Sequence, residues 1–222
     1  MEIISLPWDS QLFGYSVGCL VIDIEDFDSL EFLEQEKQFK LVYIISQNQI
    51  RNLPKNTILV DTKVTLVKEL NEVEDLKDVE IFEGELSDNL ISLGFQSGDL
   101  SRFKIDKRLS HKEFEKLYIK WLERDLKSGK IIIHKIGGKI VGMITLGFNK
   151  DQSTIGLFAV DNDYRRMGIG KELLESAESM SLKHGLKKIS VQTQLQNKGA
   201  LRIYMNNGFE EQEKKFIYHF FN

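Results

Sequence analysis

The sequence predicts an α/β fold, and three observations predict it. From residue 131 onward, apolar periodicity reads strand, strand, strand, helix, strand, helix, strand. A glycine-bearing turn, MGIG at 167–170, joins the third of those strands to an amphipathic helix. The first hundred residues mix apolar runs of strand length with helical segments, which makes them a further α/β half.

In chain order, residues 17–24 and 41–46 are apolar runs of strand length, and Phe27, Leu30, Phe32, Leu33 and Phe39 between them suit a helix. Residues 57–60 and 64–67 read as two more strands, and 88–94 as a short helix ending on Gly94. Ser110 caps a helix from His111 to about Lys127, with Phe114, Leu117, Tyr118, Trp121 and Leu122 on one face. The run IIIHKI-GGK-IVGMITLGF forms two strands joined by a turn at Gly137 and Gly138. A strand over 154–160 leads through DNDYRR into the glycine turn, and the next helix turns Leu173, Leu174, Ala177 and Met180 inward. A strand over 188–193, a helix over 200–206 stopped by Gly208, and a last strand over 209–220 complete the chain.

A chain of 222 residues, 41% hydrophobic and 29% charged, carries enough apolar material for one large core or two small ones. That profile excludes a disordered or fibrous protein. The single cysteine, Cys19, excludes an internal disulfide and a cysteine-based zinc site, and it fits a reducing compartment. The opening MEIISLPWDS lacks the basic segment of a signal peptide, and no apolar run approaches the roughly 18 residues that span a bilayer. The expected setting is cytoplasmic, with no membrane partner.

Charge divides the chain where no linker does. Residues 1–100 carry 7 Lys or Arg against 20 Asp or Glu, and residues 101–222 carry 23 against 14, so the halves stand at −13 and +9. A basic half points to a polyanionic partner: nucleic acid, a phosphorylated metabolite or a phosphate-bearing cofactor. The acidic half repels duplex DNA, so a small phosphorylated ligand is favoured and nucleic acid is not expected.

The strongest local signal is Arg165-Arg166-Met167-Gly168-Ile169-Gly170-Lys171, set between an apolar strand and an amphipathic helix. The glycines let a ligand approach the backbone, the first helical turn offers unpaired N–H groups, and the basic side chains add charge. Together they describe a pyrophosphate cradle. A P-loop needs glycine at 165 and Ser or Thr at 172, where Arg165 and Glu172 stand. The dinucleotide fingerprint needs glycine at 173, where Leu173 stands.

What remains, RxxGxG between strand and helix, resembles the GNAT acyltransferase superfamily. The resemblance covers roughly 101–222 and rests on ordered parts: LFAV at 157–160, RRMGIG at 165–170, Asn197 in QNKGALRIYMNNGF, and Tyr204 ahead of Gly208-Phe209. It implies a GNAT fold, α/β (α+β) with a mixed central sheet flanked by helices and strands splayed at the acyl-CoA site, and an N-acetyltransferase using acetyl-CoA and no metal. Phe158, Ala159 and Val160 then match the splayed strand that hydrogen-bonds the pantetheine arm and polarises the thioester carbonyl. Arg165, Arg166, Met167, Gly168, Ile169, Gly170 and Lys171 match the pyrophosphate loop. Asn197 matches a coenzyme-contacting asparagine, and Tyr204 matches the tyrosine that protonates the departing thiolate.

Those roles suit direct attack of an amine on a thioester, which needs a positioned neutral nucleophile, donors for the growing carbonyl charge and a proton for sulfur. Cys19 lies outside every coenzyme motif, so a covalent enzyme intermediate has little support. One position departs. Some protein N-terminal acetyltransferases of the superfamily carry a glutamate base five residues before the asparagine, and Gln192 stands there. The base is then elsewhere, water relays the proton, or the amine arrives partly neutral.

Further segments narrow the resemblance. TQLQNKGALRIYMNNGF with Tyr218, LPWDSQLFGYSVGCL, VDTKVTL and LYIKWLERDL are similar to the dTDP-fucosamine acetyltransferases of enterobacterial common antigen synthesis. That implies a small-molecule acceptor, the 4-amino group of a nucleotide-linked dideoxyhexose, and an N-acetyl sugar product for polysaccharide. Residues 101–222 are then the GNAT core and residues 1–100 the acceptor side. Trp8, Asp9, Phe13 and Gly14 are candidates either for the acceptor pocket or for a local turn with core aromatics. His134 is either the absent base or, with His111, His184 and His219, a structural histidine. Trp121 is expected in the core, and the Glu72–Glu85 acidic stretch is expected on a solvated face.

Three rival functions stand beside this one: transfer to another small amine or a protein amine, a non-catalytic acyl-CoA sensor, and a nucleic-acid binder with steep salt dependence.

Overall fold

The last strand of the chain lies between two strands of its first half. The computed structural model describes every residue except 1, 23–26, 28, 72–79 and 129. Its strands are β1 (Ile4–Ser5), β2 (Val17–Ile22), β3 (Leu41–Ser46), β4 (Thr57–Glu69), β5 (Ile131–Ile136), β6 (Lys139–Phe148), β7 (Ser153–Val160), β8 (Lys188–Gln194) and β9 (Glu210–Phe221). Among the described residues they form one mixed sheet in the order β1-β2-β3-β9-β4-β8-β7-β6-β5. β9 pairs antiparallel with both β3 and β4, so the sheet runs unbroken across the change of charge near residue 100.

Helices cover both faces. α1 is Pro7–Phe13, α2 Ser29–Gln35, α3 Asp88–Ser97, α4 Arg102–Ile105, α5 His111–Lys127, α6 Ile169–Lys183 and α7 Lys198–Asn206. Period-2 alternation sorts side chains between the faces. Ile131 and Ile133 pack with α3, α4 and α5, whereas Ile132 packs with α6. Likewise Tyr43 joins the α3–α5 side, while Val42 and Ile44 join Phe32 of α2, Tyr218 and Phe220.

Local chemistry explains several ends. At the start of α5, Ser110 Oγ accepts from the Glu113 N–H at 3.3 Å and Glu113 Oε2 accepts from the Ser110 N–H at 2.6 Å, a reciprocal capping box. Gly137 and Gly138 turn the β5–β6 hairpin with φ of 58° and 83°. The helix expected to stop at Gly94 runs on to Ser97. A Cβ on Gly94 would stand 2.6 Å from Leu122 Cδ1, so this glycine serves the approach of α3 to α5. The two strands expected at 57–60 and 64–67 are one, β4, and Asp61, Thr62 and Lys63 continue it. α7 starts at Lys198, ahead of the expected 200, because Asn197 Oδ1 accepts from the Ala200 N–H at 3.1 Å. Of the Glu72–Glu85 stretch, residues 72–79 lie outside the described residues, and Glu80 pairs with Lys135 at 2.5 Å.

The sheet opens in one place. β7 and β8 run parallel through Ser153–Ile189, Thr154–Ser190 and Ile155–Val191, and beyond those pairs both strands continue unpaired to one another. A bulge lies at the fork: Gly156 and Leu157 of β7 together oppose Thr145 of β6. The Leu157 N–H donates to Thr145 Oγ1 at 2.9 Å, and a Cβ on Gly156 would stand 2.7 Å from that same oxygen. Bulges bend and twist the strand that carries them, which turns the end of β7 away from β8.

Candidate active site

A cavity of about 510 Å³ passes through this opening. Asn197, Ala200 and Tyr204 line it from the α7 side of the sheet, and Arg102, Phe103, Tyr118 and Trp121 line it from the α4–α5 side. The first half of the chain contributes Trp8, Asp9, Asp61 and Lys63. A channel reaching both faces of a sheet needs such a fork, because a complete ladder has no room between its strands.

Backbone direction along β7 sorts the three residues expected to meet the coenzyme. The Asp161 N–H donates to Val141 O at 2.8 Å, so the pair next to it, Gly142 and Val160, turns its polar groups outward. By the same alternation Ala159 faces β6, and Phe158 faces the opening. Ala159 thus turns its N–H and C=O toward the β6 ladder. Phe158 keeps both groups free of β6, whereas the Val160 carbonyl accepts from Arg165 Nε at 3.1 Å and leaves only its N–H to a ligand.

The loop ahead of α6 has the form of an anion nest. Arg166 and Gly168 take φ of 66° and 86°, and Gly168 is the N-cap of α6. Left-handed residues at alternate positions turn successive N–H groups toward one side, where the helix dipole adds positive potential. The Lys171 N–H closes on the Gly168 carbonyl at 2.9 Å, so the available amides are those ahead of it. Ile169 is buried, Met167 is exposed, and Lys171 Nζ lies 3.6 Å from Glu175. Gly170 sits against α7: a Cβ there would stand 2.6 Å from Ile203 Cδ1. Lys171 also lines a second cavity of about 410 Å³ with Gly199, Arg202, Ile203, Asn206 and Asn207.

Tyr204 is buried between Phe158 and Phe209, with ring centroids 5.8 and 5.5 Å away. Burial raises its phenol well above the ordinary tyrosine value, which keeps the proton in place at neutral pH. Asn197 lines the cavity while its Oδ1 caps α7. Gln192 also lines the cavity, with Nε2 3.4 Å from Thr65 Oγ1.

The α4–α5 side of the cavity is charged. Asp61 is buried; desolvation pushes its carboxyl up to about 6, with Lys63 and Arg102 opposing the shift. Burial first, then Arg102, lowers Lys63 to about 8. Arg102 holds its guanidinium 4.2 Å from the Tyr43 ring and 4.6 Å from the Phe103 ring. Asp61 Oδ1 and Arg102 Nη1 are both buried without a hydrogen-bond partner. Trp121, expected in the core, packs there and also forms cavity wall.

Other candidates lie elsewhere. Phe13 stacks on Tyr15 at 5.8 Å, and Gly14, with φ of 80°, caps α1, so of the four opening candidates Trp8 and Asp9 reach the cavity. His134 lies 3.2 Å from Glu172 and is not a cavity residue. His111 lies 3.4 Å from Glu115, His184 Nδ1 lies 2.9 Å from Met180 O, and His219 Nδ1 lies 2.8 Å from Asp106 Oδ2. Among the described residues there is no cluster of three His, Cys, Asp or Glu able to hold a metal, and no helix long and apolar enough to cross a membrane.

Comparison with known proteins gives this geometry a context. The model of the acetyltransferase (GNAT) family matches residues 99–209. An uncharacterised N-acetyltransferase of Methanocaldococcus jannaschii is 30% identical over 109 residues, 46% of this chain and 48% of that protein. The alanine N-acetyltransferase of ribosomal protein bS18 from Escherichia coli K12 is 31% identical over 74 residues, 33% of this chain and 50% of that protein. The chain thus spans about half the length of these curated relatives. A conserved Staphylococcus epidermidis protein of unknown function superposes with a TM-score of 0.64 at 13% identity, over 96% of this chain and 88% of that one. A GNAT-family structure from Novosphingobium aromaticivorans superposes at 0.55 and 12% identity, over 82% and 74%. These structural matches extend the likeness in fold into the first half of the chain.

Proposed function

The chain belongs to the GNAT family of acetyltransferases, and from that premise we propose that it moves an acetyl group from acetyl-CoA to the amine of a nucleotide-linked amino-dideoxy sugar. The observation that carries the acyl-transfer reading is the β7–β8 opening, with a cavity running through it and Tyr204 in its wall. The residues present fit the coenzyme: a strand with free polar groups, a nest at a helix N-terminus and a long channel are what an extended thioester with a diphosphate requires.

In this reading the coenzyme supplies the acyl carbon. Phe158 N–H and C=O, with the Val160 N–H, hold the pantetheine arm and polarise the thioester carbonyl. The amides of residues 166–170, with Arg165, Arg166 and Lys171 nearby, take the pyrophosphate. Asn197 orients the end of β8 and the start of α7 beside the arm. The amine attacks the thioester carbon directly, the C–N bond forms, the C–S bond breaks as the adduct collapses, and Tyr204 gives its proton to the thiolate.

The first half of the chain forms the acceptor side in this proposal, through Trp8, Asp9, Asp61 and Lys63. Lys63, Arg102 and Arg124 on that side suit the diphosphate of a nucleotide sugar. A second reading, transfer to a protein amine, is favoured by the name of the bS18-alanine relative. Gln192, which cannot take a proton, weighs against a glutamate-based version of it.

The test is free-thiol release from acetyl-CoA against dTDP- and UDP-linked 4-amino-4,6-dideoxyhexoses, with spermidine, free amino sugars and a peptide as controls. Release confined to a nucleotide sugar supports the proposal. Release only with the other amines keeps the transferase and removes the sugar. Coenzyme binding without release from any acceptor favours a sensor.

A further inference from the structure

Gln192 leaves the proposed reaction without an evident proton acceptor, and the charged side of the cavity supplies one. We infer that Asp61 is the general base, accepting a proton from the acceptor amine across the cavity from Tyr204. The inference rests on the acyl-transfer reading and goes beyond it by naming the group that makes the nucleophile.

The placement of Asp61 follows from a defect in strand pairing. Leu59 stands opposite Tyr218, but Asp61 stands opposite Ile217, so Val60 is an extra residue on β4. Without that bulge Asp61 would share the face of Leu59 and Tyr218, on the α2 side. With it, Asp61 shares the face of Ile217 and His219, whose ring meets Tyr43 and Phe103 at 5.0 and 6.2 Å. This is the α4–α5 face, and Asp61 lines the cavity there. Bulges recur beside active sites because they re-aim a side chain in this way.

One oxygen of the carboxyl is also unspent. Asp61 is only 3% exposed, and Oδ1 has no hydrogen-bond partner among the described residues. Asp106, by contrast, spends its carboxylate on Arg108 and His219. An oxygen left without a partner at a cavity wall is open to a donor brought by the substrate, while the Thr62 N–H donates to the carboxyl and favours its ionised form. The charged and titratable groups around it are Lys63 on its own strand, with Lys215 of β9 paired opposite Lys63, Arg102 of α4, Tyr118 of α5 and Asp9 of α1. Desolvation among them moves Asp61 into the range where a carboxylate takes protons efficiently near neutral pH.

The proton balance closes. The acceptor enters as R–NH3+ and passes one proton to Asp61, leaving the nitrogen lone pair free to attack the thioester carbon. A second N–H proton is lost to solvent as the adduct collapses and the C–S bond breaks. The departing thiolate takes the Tyr204 proton, solvent returns one to the phenolate, and Asp61 releases its proton for the next turnover.

The test compares wild type with Asp61→Asn on two kinds of acceptor. Ammonium acceptors, charged at pH 7, are the dTDP-linked 4-amino sugar and spermidine; hydroxylamine, neutral at pH 7, needs no prior deprotonation. We expect thiol release to fall about 10²-fold for whichever ammonium acceptor wild type uses, and less than about 3-fold for hydroxylamine. The acidic limb of the wild-type kcat profile disappears in the variant, while the KM for acetyl-CoA holds. Equal losses with both kinds of acceptor, or no loss with either, overturn the inference. A wild type that ignores the dTDP sugar but uses spermidine removes the sugar reading and leaves the comparison for Asp61 intact.

Discussion

Ile155 of β7 stands opposite Val191 of β8 as the last pair between the two strands, and the next residue, Gly156, begins the bulge that parts them. The opening for a ligand therefore depends on a glycine and on the Thr145 hydroxyl, which takes the Leu157 N–H that the ladder leaves unpaired. A Cβ at residue 156 would displace that hydroxyl. Gly156→Ala is expected to cost about 1–3 kcal/mol, the penalty for an unsatisfied buried donor, and to raise the KM for acetyl-CoA. Thermal melts and initial rates check both effects; a variant with unchanged stability and KM contradicts the role given to the bulge.

Tyr204→Phe keeps the ring between Phe158 and Phe209 and removes the proton. We expect kcat to fall about 10²-fold or more with coenzyme affinity retained. An acetyl thioester of a more acidic aromatic thiol should recover much of the loss, because its thiolate leaves without protonation. Wild-type turnover of acetyl-CoA by the variant removes Tyr204 as donor.

The raised pKa of Asp61 makes a stability prediction. A carboxyl that ionises at about 6 when folded and at 3.8 when exposed opposes folding above pH 6, and that penalty fades as pH falls toward 3.8. Asp61→Asn is therefore expected to stabilise the protein at pH 7 by about 1–3 kcal/mol while impairing turnover. Denaturant melts at pH 7 and pH 4 check it: a gain at pH 7 that shrinks at pH 4. A loss of stability at pH 7 counts against a charge penalised by desolvation.

His219 acts with the opposite sign. Burial lowers it from 6.5 to about 4, so the unfolded chain binds more protons in that window and stability falls as pH drops from 6.5 to 4. Asp106, held below the usual carboxylate range by hydrogen bonds from His219 and Arg108, adds a loss at still lower pH. Between pH 6 and 4 the gain from Asp61 offsets the loss from His219. The melting temperature of Asp61→Asn should then fall more steeply across that window than that of wild type, and that of His219→Gln should fall less steeply.

What was legible in the sequence was what side chains announce. The alternation of β5 and β6, the Ser110 and Glu113 box, and the glycines before α6 each write a local structure into residue types. Asn197 and Tyr204, both singled out by motif, line the cavity. Backbone direction has no such signature: nothing in LFAV tells that Ala159 faces β6 and Phe158 the opening. Gly94 reads as a stop because helix C-termini favour glycine, yet the approach of Leu122 demands one too. Asp61 was missed for a related reason. Strict alternation in VDTKVTL puts it on the face of Leu59, and Val60 gives no sign that it is the extra residue.

Amide hydrogen exchange followed by NMR, with and without acetyl-CoA, tests the coenzyme site most directly. The Phe158 and Val160 amides and those of residues 166–170 should gain protection together, while Ala159, already in the β6 ladder, changes little. Protection confined to other strands, with Phe158 exchanging as freely as before, would contradict a coenzyme lying in the β7–β8 opening.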